Sequence, residues 1–446
     1  MQFSLKKNIK LKGVQILALG FLSLILLGGI ILSLPISSAS GEGTNFLDSV
    51  FTATSAVCVT GLITLNTSAH WNTFGQVVII LLIEIGGLGF MSFTTLIAII
   101  LGKKITLRER LVMQEAMNTF AIQGLVKMVK YVLIFTVSIQ FFGALLLSTQ
   151  FVPAFGLKKG LFYSVFHSIS AFCNAGFDLF GDSLVGYSSN AVVILVISAL
   201  IIIGGLGFTV LIEIYQLKGL KKLSIHAKLV ILVTTVLIIG GAILMFLFEH
   251  RNPGTIASMT FKDKALNSLF ASVSPRTAGF NSISTSDMTM AGKFLTIILM
   301  FIGGSPGSTA GGLKTVTFGI LILTVISVIR GREDTEVFGR RFTKEVVYKA
   351  FSLFFIGGAL VIIVTMMLSY TETGTSFLDL LYETTSALGT VGLTTGLTPN
   401  LSSIGKILIM TMMYLGRVGP LTIALALTRK RKKTGYKYPE GKILIG

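Results

Sequence analysis

The stretch SFLDLLYETTSALGTVG, residues 376–392, decides how this chain folds. It mixes apolar and hydroxyl side chains, ends on a glycine and lies between long apolar runs. A membrane-crossing helix needs about 20 predominantly apolar residues, so this stretch is too polar and too short to cross. It is also too apolar for a solvated loop. Three other stretches share its layout: NFLDSVFTATSAVCVTG (45–61), GLFYSVFHSISAFCNAG (160–176) and DKALNSLFASVSPRTAG (263–279). The four align without a gap on their final glycines, Gly61, Gly176, Gly279 and Gly392. Ten residues earlier stand Phe51, Phe166, Leu269 and Tyr382, and five earlier the small residues Ala56, Ala171, Ser274 and Ala387. Leu62, Phe177, Phe280 and Leu393 follow the glycines, which lie roughly a quarter of the chain apart.

Around these stretches the chain is strongly apolar: of 446 residues, 52% are hydrophobic and only 13% charged. That balance excludes a soluble domain and indicates an all-α polytopic membrane protein. Apolar runs near 14–35, 74–101, 127–150, 190–217, 228–248, 291–329, 347–370 and 403–428 predict eight spans. The start, MQFSLKKNIKLKGVQILALG, lacks a small-residue cleavage site and reads as a first span. Two cysteines, Cys58 and Cys173, and four scattered histidines give no disulfide framework and no metal-ligand spacing. No catalytic constellation stands out, so the chain does not read as an enzyme. IIIGGLGF (201–208) is a very weak dinucleotide signal, because no βαβ context surrounds it. The formal charge of +18 does not point to nucleic acid. Most Lys and Arg residues fall in five clusters: the N-terminus, 102–130, 218–228, 330–349 and 429–446. The positive-inside rule places all five clusters and both termini in the cytoplasm, and the plasma membrane is the expected location.

Two apolar runs and one of the short stretches separate each basic cluster from the next. A crossing by the short stretch would alternate the clusters between sides, so it must enter and leave on the outer face. Each unit then starts and ends in the cytoplasm, and the units are parallel about an axis along the membrane normal, unlike inverted transporter repeats. The expected division is 1–102, 103–218, 219–331 and 332–446, four span–pore-loop–span units in pseudo-fourfold symmetry around a central pore. About 13 residues of each stretch form a short helix pointing its negative C-terminal end at the axis, and the last residues run extended to the glycine. Irregular backbone at membrane depth is tolerated where it lines a watery cavity. The residues expected there are Val59, Thr60, Gly61, Asn174, Ala175, Gly176, Thr277, Ala278, Gly279, Thr390, Val391 and Gly392. None is acidic, so backbone carbonyls are the ligands on offer, suited to a monovalent cation; calcium usually recruits several carboxylates. The competing reading makes the glycines helix caps only.

The second span of each unit carries a glycine cluster: EIGGLGF (84–90), IIGGLGF (202–208), FIGGSPGSTAGGLKT (301–315) and YLGRVGPLT (414–422). The third differs in kind. Gly303, Gly304, Ser305, Pro306, Gly307, Ser308, Thr309, Ala310, Gly311 and Gly312 disfavour a continuous helix and predict a break below the filter, as a gate or a mere kink. Arg417 stands where the other units have small or apolar residues; a guanidinium at membrane depth marks function by default, or else pairs with a carboxylate such as Glu84. Lys314 is expected to face the cytoplasmic vestibule. The partners of Glu84 and Glu213 stay open, His167 reads as packed or solvated and not as a ligand, and Cys58 and Cys173 read as small packed residues.

With these motifs in view, the chain resembles the potassium-translocating subunits of the Ktr/Trk/HKT superfamily over nearly its full length. TVG at 390–392 echoes the potassium-channel filter signature, while the other three loops are degenerate. Trk-type relatives often carry two extra N-terminal spans that this chain lacks. The resemblance implies potassium uptake, with potassium as substrate, no organic cofactor in this chain and sodium dependence left open. It also implies an intramembrane gate at 303–312, a homodimer of pore subunits in the lipid bilayer, and a cytosolic nucleotide-binding regulatory ring. The rival class is a coupled secondary transporter for a small solute; a structural or receptor role leaves the four glycine loops unexplained.

Overall fold

The computed structural model describes residues 13–89, 125–216 and 223–419. Each quarter begins with a long outer helix: α1 (Gly13–Ser33), α5 (Leu125–Phe155), α9 (Ile225–Glu249) and α13 (Lys344–Thr371). Among the described residues, these contain the four single helices that are long and apolar enough to cross a membrane. Their outward side chains are themselves large and apolar, such as Leu27, Phe141, Val236 and Ile362, as a lipid-facing surface requires.

A short helix follows in each quarter: α2 (Phe46–Cys58), α6 (Leu157–Cys173), α10 (Phe261–Val273) and α14 (Phe377–Gly389). Side-chain caps start three of them. Asn45 Oδ1 accepts from Leu47 N, Thr260 Oγ1 from Asp263 N and Ser376 Oγ from Asp379 N, satisfying donors the helix leaves free. The expected 13 residues hold for these three, whereas α6 starts earlier and spans 17 residues.

The short helices are surrounded by protein. Each packs against the outer and second helices of its own quarter and against the second helix of the quarter before it. The second helices are α4 (Thr73–Leu88, after the one-turn α3, Thr67–His70), α7 (Ala191–Leu206), α11 (Met290–Phe301) and α15 (Ser403–Val418). Thus α4 meets α6, α7 meets α10, α11 meets α14, and α15 returns to α2, closing a ring. Two of these junctions carry ion pairs at matching positions, Lys293 to Asp379 at 3.0 Å and Lys406 to Asp48 at 2.6 Å.

The second apolar runs are not the continuous spans the hydropathy predicts. The run over 190–217 turns by 95° between α7 and α8 (Phe208–Gln216). Gly207 lies between them at φ +92°, which ends the helix with no side-chain clash. Gly89 and Gly419 end α4 and α15 in the same way, at φ +84° and +93°. The remainder of the runs at 74–101 and 403–428 lies outside the described residues, as do the N-terminal and 429–446 basic clusters and parts of those at 102–130 and 218–228. In the third quarter the chain leaves α11 at Phe301 and resumes as α12 (Thr315–Ile329), so the predicted break is present. A two-residue hairpin, β1 (Glu336–Val337) and β2 (Arg340–Arg341), leads into α13. Its turn residues Phe338 and Gly339 both have positive φ, the turn geometry that matches strand twist.

Candidate functional site

The four predicted glycines meet. A Cβ placed on Gly61 would lie 2.5 Å from Ala175 O, and one on Gly176 would lie 2.9 Å from Ala278 O. A Cβ on Gly279 would overlap Val391 O, and one on Gly392 would overlap Thr60 O. Each glycine therefore abuts the carbonyl just before the next glycine, and the fourth abuts the first. A side chain at any of them would force this closed circle of backbone apart.

The strands leading to the glycines are not extended as expected. Val59, Asn174, Thr277 and Thr390 all adopt positive φ, between 50° and 76°, and so do the four glycines. Thr60, Ala175, Ala278 and Val391, between them, do not. An extended strand keeps φ negative throughout, so this alternation of positive and negative φ breaks the extended pattern. Left-handed backbone at a β-branched residue is a genuine outlier and costs on the order of 1–3 kcal/mol, as is found at functional sites. In three quarters, moreover, the glycine is not the residue that caps the short helix. The left-handed residue that closes α2, α6 and α14 is Val59, Asn174 or Thr390, and the glycine lies two residues farther on.

Serines hold these strands from behind, a role the sequence reading missed. Ser55 Oγ accepts from Gly61 N at 2.9 Å and Ser386 Oγ from Gly392 N at 3.1 Å. Ser170 Oγ donates to Phe177 O at 2.8 Å, and Ser274 Oγ donates to Phe280 O. Ser274 stands one residue nearer its glycine than the other three, so the third loop is one residue shorter and the gapless alignment breaks upstream of it. The backbone agrees: Thr60, Ala175 and Val391 N–H reach back five residues, while Ala278 N–H reaches back four, to Ser274 O. The aromatic match to Phe51, Phe166 and Tyr382 is then Phe270, which is buried, and not the half-exposed Leu269. The serine shared by three stretches was the available signal.

The ten residues from Gly303 to Gly312 lie directly beneath this ring. A Cβ on Gly311 would overlap the Thr390 hydroxyl. Ser305 N donates to Gly205 O at 3.0 Å, and Thr309 Oγ1 lies 3.1 Å from Gly204 O and 3.2 Å from Phe172 O. Gly303 N bonds Leu313 O at 2.8 Å, pinching the loop at its base. Arg417 replaces the second glycine of the cluster, and its guanidinium donates to Thr309 O, Gly86 O and Gly87 O. One side chain of the last quarter thus ties the loop of the third to the helix end of the first.

Arg417 does not pair with Glu84, the alternative weighed above. Glu84 instead accepts from Gln140 Nε2 at 2.8 Å and from Cys173 Sγ at 3.2 Å, so Cys173 is more than a small packed residue. Glu213 accepts from the backbone and hydroxyl of Ser224. Lys314 turns back on the loop, donating to Ala310 O at 2.7 Å. Among the described residues, no three His, Cys, Asp or Glu side chains converge into a metal centre. The ring offers backbone carbonyls, and the buried Thr60 and Thr390 hydroxyls, which have no protein partner, add oxygen atoms beside it.

Comparison with known proteins agrees with this architecture. The profile of the cation transport protein family TrkH matches residues 14–434. The chain is 49% identical to the potassium/sodium uptake protein NtpJ of Enterococcus hirae, covering 99% of each chain. It is 42% identical to the Ktr system potassium uptake protein B of Bacillus subtilis, covering 97% of this chain and 96% of that one. The crystal structure of the potassium transporter TrkH from Vibrio parahaemolyticus superposes with a TM-score of 0.73 at 20% identity, over 95% of this chain and 86% of that one.

Proposed function

The chain belongs to the TrkH family of cation transport proteins, and from that premise we propose that it takes up potassium through a gated, channel-like pore. The quarters 1–102, 103–218, 219–331 and 332–446 act as four pseudo-equivalent units around one axis. Carbonyls of the strands ending at Gly61, Gly176, Gly279 and Gly392 replace the hydration shell of the ion. The observation that carries this reading is the circle of four glycines, each against the carbonyl before the next. The membrane potential drives entry, worth about 2.3 kcal/mol per charge per 100 mV.

The loop Gly303–Gly312 and Arg417 form the gate. In support, the loop lies against Thr390, and the Arg417 guanidinium holds both it and the end of α4. The chain works in the plasma membrane with both termini cytoplasmic, as its basic clusters favour. It assembles as a homodimer with a cytosolic nucleotide-binding ring; the Bacillus subtilis relative is named as part of a Ktr system, which suits a multi-subunit assembly. Sodium acts on the same pathway, in keeping with the potassium/sodium naming of the Enterococcus hirae relative.

Radiotracer rubidium uptake into liposomes holding the purified chain tests the proposal, with sodium and leucine as comparators. Saturable rubidium uptake that exceeds sodium uptake is expected. Leucine uptake without rubidium uptake would replace the pore by a coupled solute transporter.

A further inference from the structure

Two of the four short helices carry a buried titratable side chain at the same register. His167 on α6 and Glu383 on α14 each stand three residues before the serine that backs the strand, Ser170 or Ser386, and both are fully buried. Each reaches across to the chain that leaves the ring after its glycine. His167 Nε2 accepts from Leu179 N at 3.3 Å, and Glu383 Oε1 accepts from Thr395 N at 3.1 Å. Leu179 and Thr395 are each the third residue after their glycine, so the two bonds are the same bond made with different chemistry.

Each acceptor is itself held in place. His167 Nδ1 donates to Tyr163 O at 2.7 Å, which leaves Nε2 as the acceptor and makes the imidazole neutral. Its ring stacks on Phe180 at 4.3 Å. The Glu383 carboxylate also accepts from the Thr394 hydroxyl, and from Thr398 Oγ1 at 2.7 Å. In the other two quarters this register holds Thr52 and, with the one-residue shift, Ala271. Thr52 Oγ1 donates to Asp48 O within its own helix, and Ala271 has no polar group to offer.

In the ring order, the second and fourth quarters face each other across the axis. We propose that His167 and Glu383 are positioning residues, a diagonal pair of straps that fixes the outward half of the strands at Gly176 and Gly392 and so sharpens discrimination among monovalent cations. The proposal rests on the carbonyl-filter reading. Carbonyls that coordinate an ion discriminate by size only if their strands resist relaxing around a smaller one. A buried side-chain bond to the backbone just beyond the glycine supplies that resistance in two strands. The Ser55 bond to Gly61 N and the Ser274 bond to Phe280 O reach no farther than the next residue.

The test compares rubidium and sodium uptake by the full chain in liposomes for His167→Phe, Glu383→Ala, Glu383→Gln and, as a control, Gly392→Ser. Phenylalanine keeps the ring packing and removes the acceptor; glutamine keeps an acceptor for Thr395 N–H. The rubidium-to-sodium ratio should fall about tenfold in His167→Phe and Glu383→Ala, the scale of one buried donor left unpaired, and recover in Glu383→Gln. If Glu383→Ala does not fold, His167→Phe alone decides. A control that loses discrimination while folded strap variants keep it would overturn the straps and leave the filter standing. A control that also keeps it would sink the filter reading and the straps together.

Discussion

At the scale of single residues, the site depends on backbone placed where a side chain cannot follow. Gly416 shows this away from the ring: a Cβ there would overlap Leu388 O at the end of the short helix. Gly416→Ala should therefore separate α14 from α15 and cost about 1–3 kcal/mol, as overpacking does, read as a lowered melting temperature in detergent. Ser386→Ala is a gentler probe. It leaves the buried Gly392 N–H without its 3.1 Å acceptor, a loss of about 1–3 kcal/mol that should appear both as reduced thermal stability and as weaker rubidium preference. The strand glycines were legible because four aligned copies share them. The left-handed residues at Val59, Thr277 and Thr390 were not, since β-branched residues disfavour positive φ and only the surrounding ring imposes it. His167 was likewise read only as packed or solvated, because its hydrogen-bond partner is a backbone amide that composition does not reveal.

At the scale of elements, hydropathy identified the outer helices and the short polar-apolar helices correctly. It misread the second span of the second quarter as continuous, because apolar composition runs on through Gly207 while the helix does not. The third span was legible as broken because five glycines and a proline make the break unmistakable in composition. The one-residue shortening of the third loop was hidden by an alignment anchored on its final glycine; only Ser274, Phe270 and the Ala278 bond expose it. The broken element yields a direct prediction. Deleting Ser305 to Gly311 should raise rubidium flux and make it less dependent on a cytosolic regulator. Arg417→Ala, which frees Thr309 O, Gly86 O and Gly87 O, should raise the leak while keeping potassium preference. Wild-type flux and regulation in both variants would make the loop a kink and place the gate elsewhere.

At the scale of the whole molecule, the proposed orientation rests on the distribution of charge and the proposed assembly on family resemblance. Ser40 lies exposed in the connection between α1 and α2. With the two native cysteines replaced, Ser40→Cys should react with an impermeant thiol reagent applied from outside intact cells; labelling confined to inverted vesicles would reverse the orientation. Removing the charges of 429–433, which lie outside the described residues, should weaken docking of the cytosolic ring more than it alters ion preference. Failure of any protein in the complete cytosolic fraction to co-purify with the chain would count against such a partner. In the proposed pore a bare monovalent cation sits among carbonyls donated by all four quarters. Crystals grown in rubidium chloride and measured at the rubidium absorption edge test it most directly. The expected result is anomalous density on the axis, level with the carbonyls of Thr60, Ala175, Ala278 and Val391; density confined to side-chain carboxylates such as Glu84 or Glu383, with none on the axis, would contradict it.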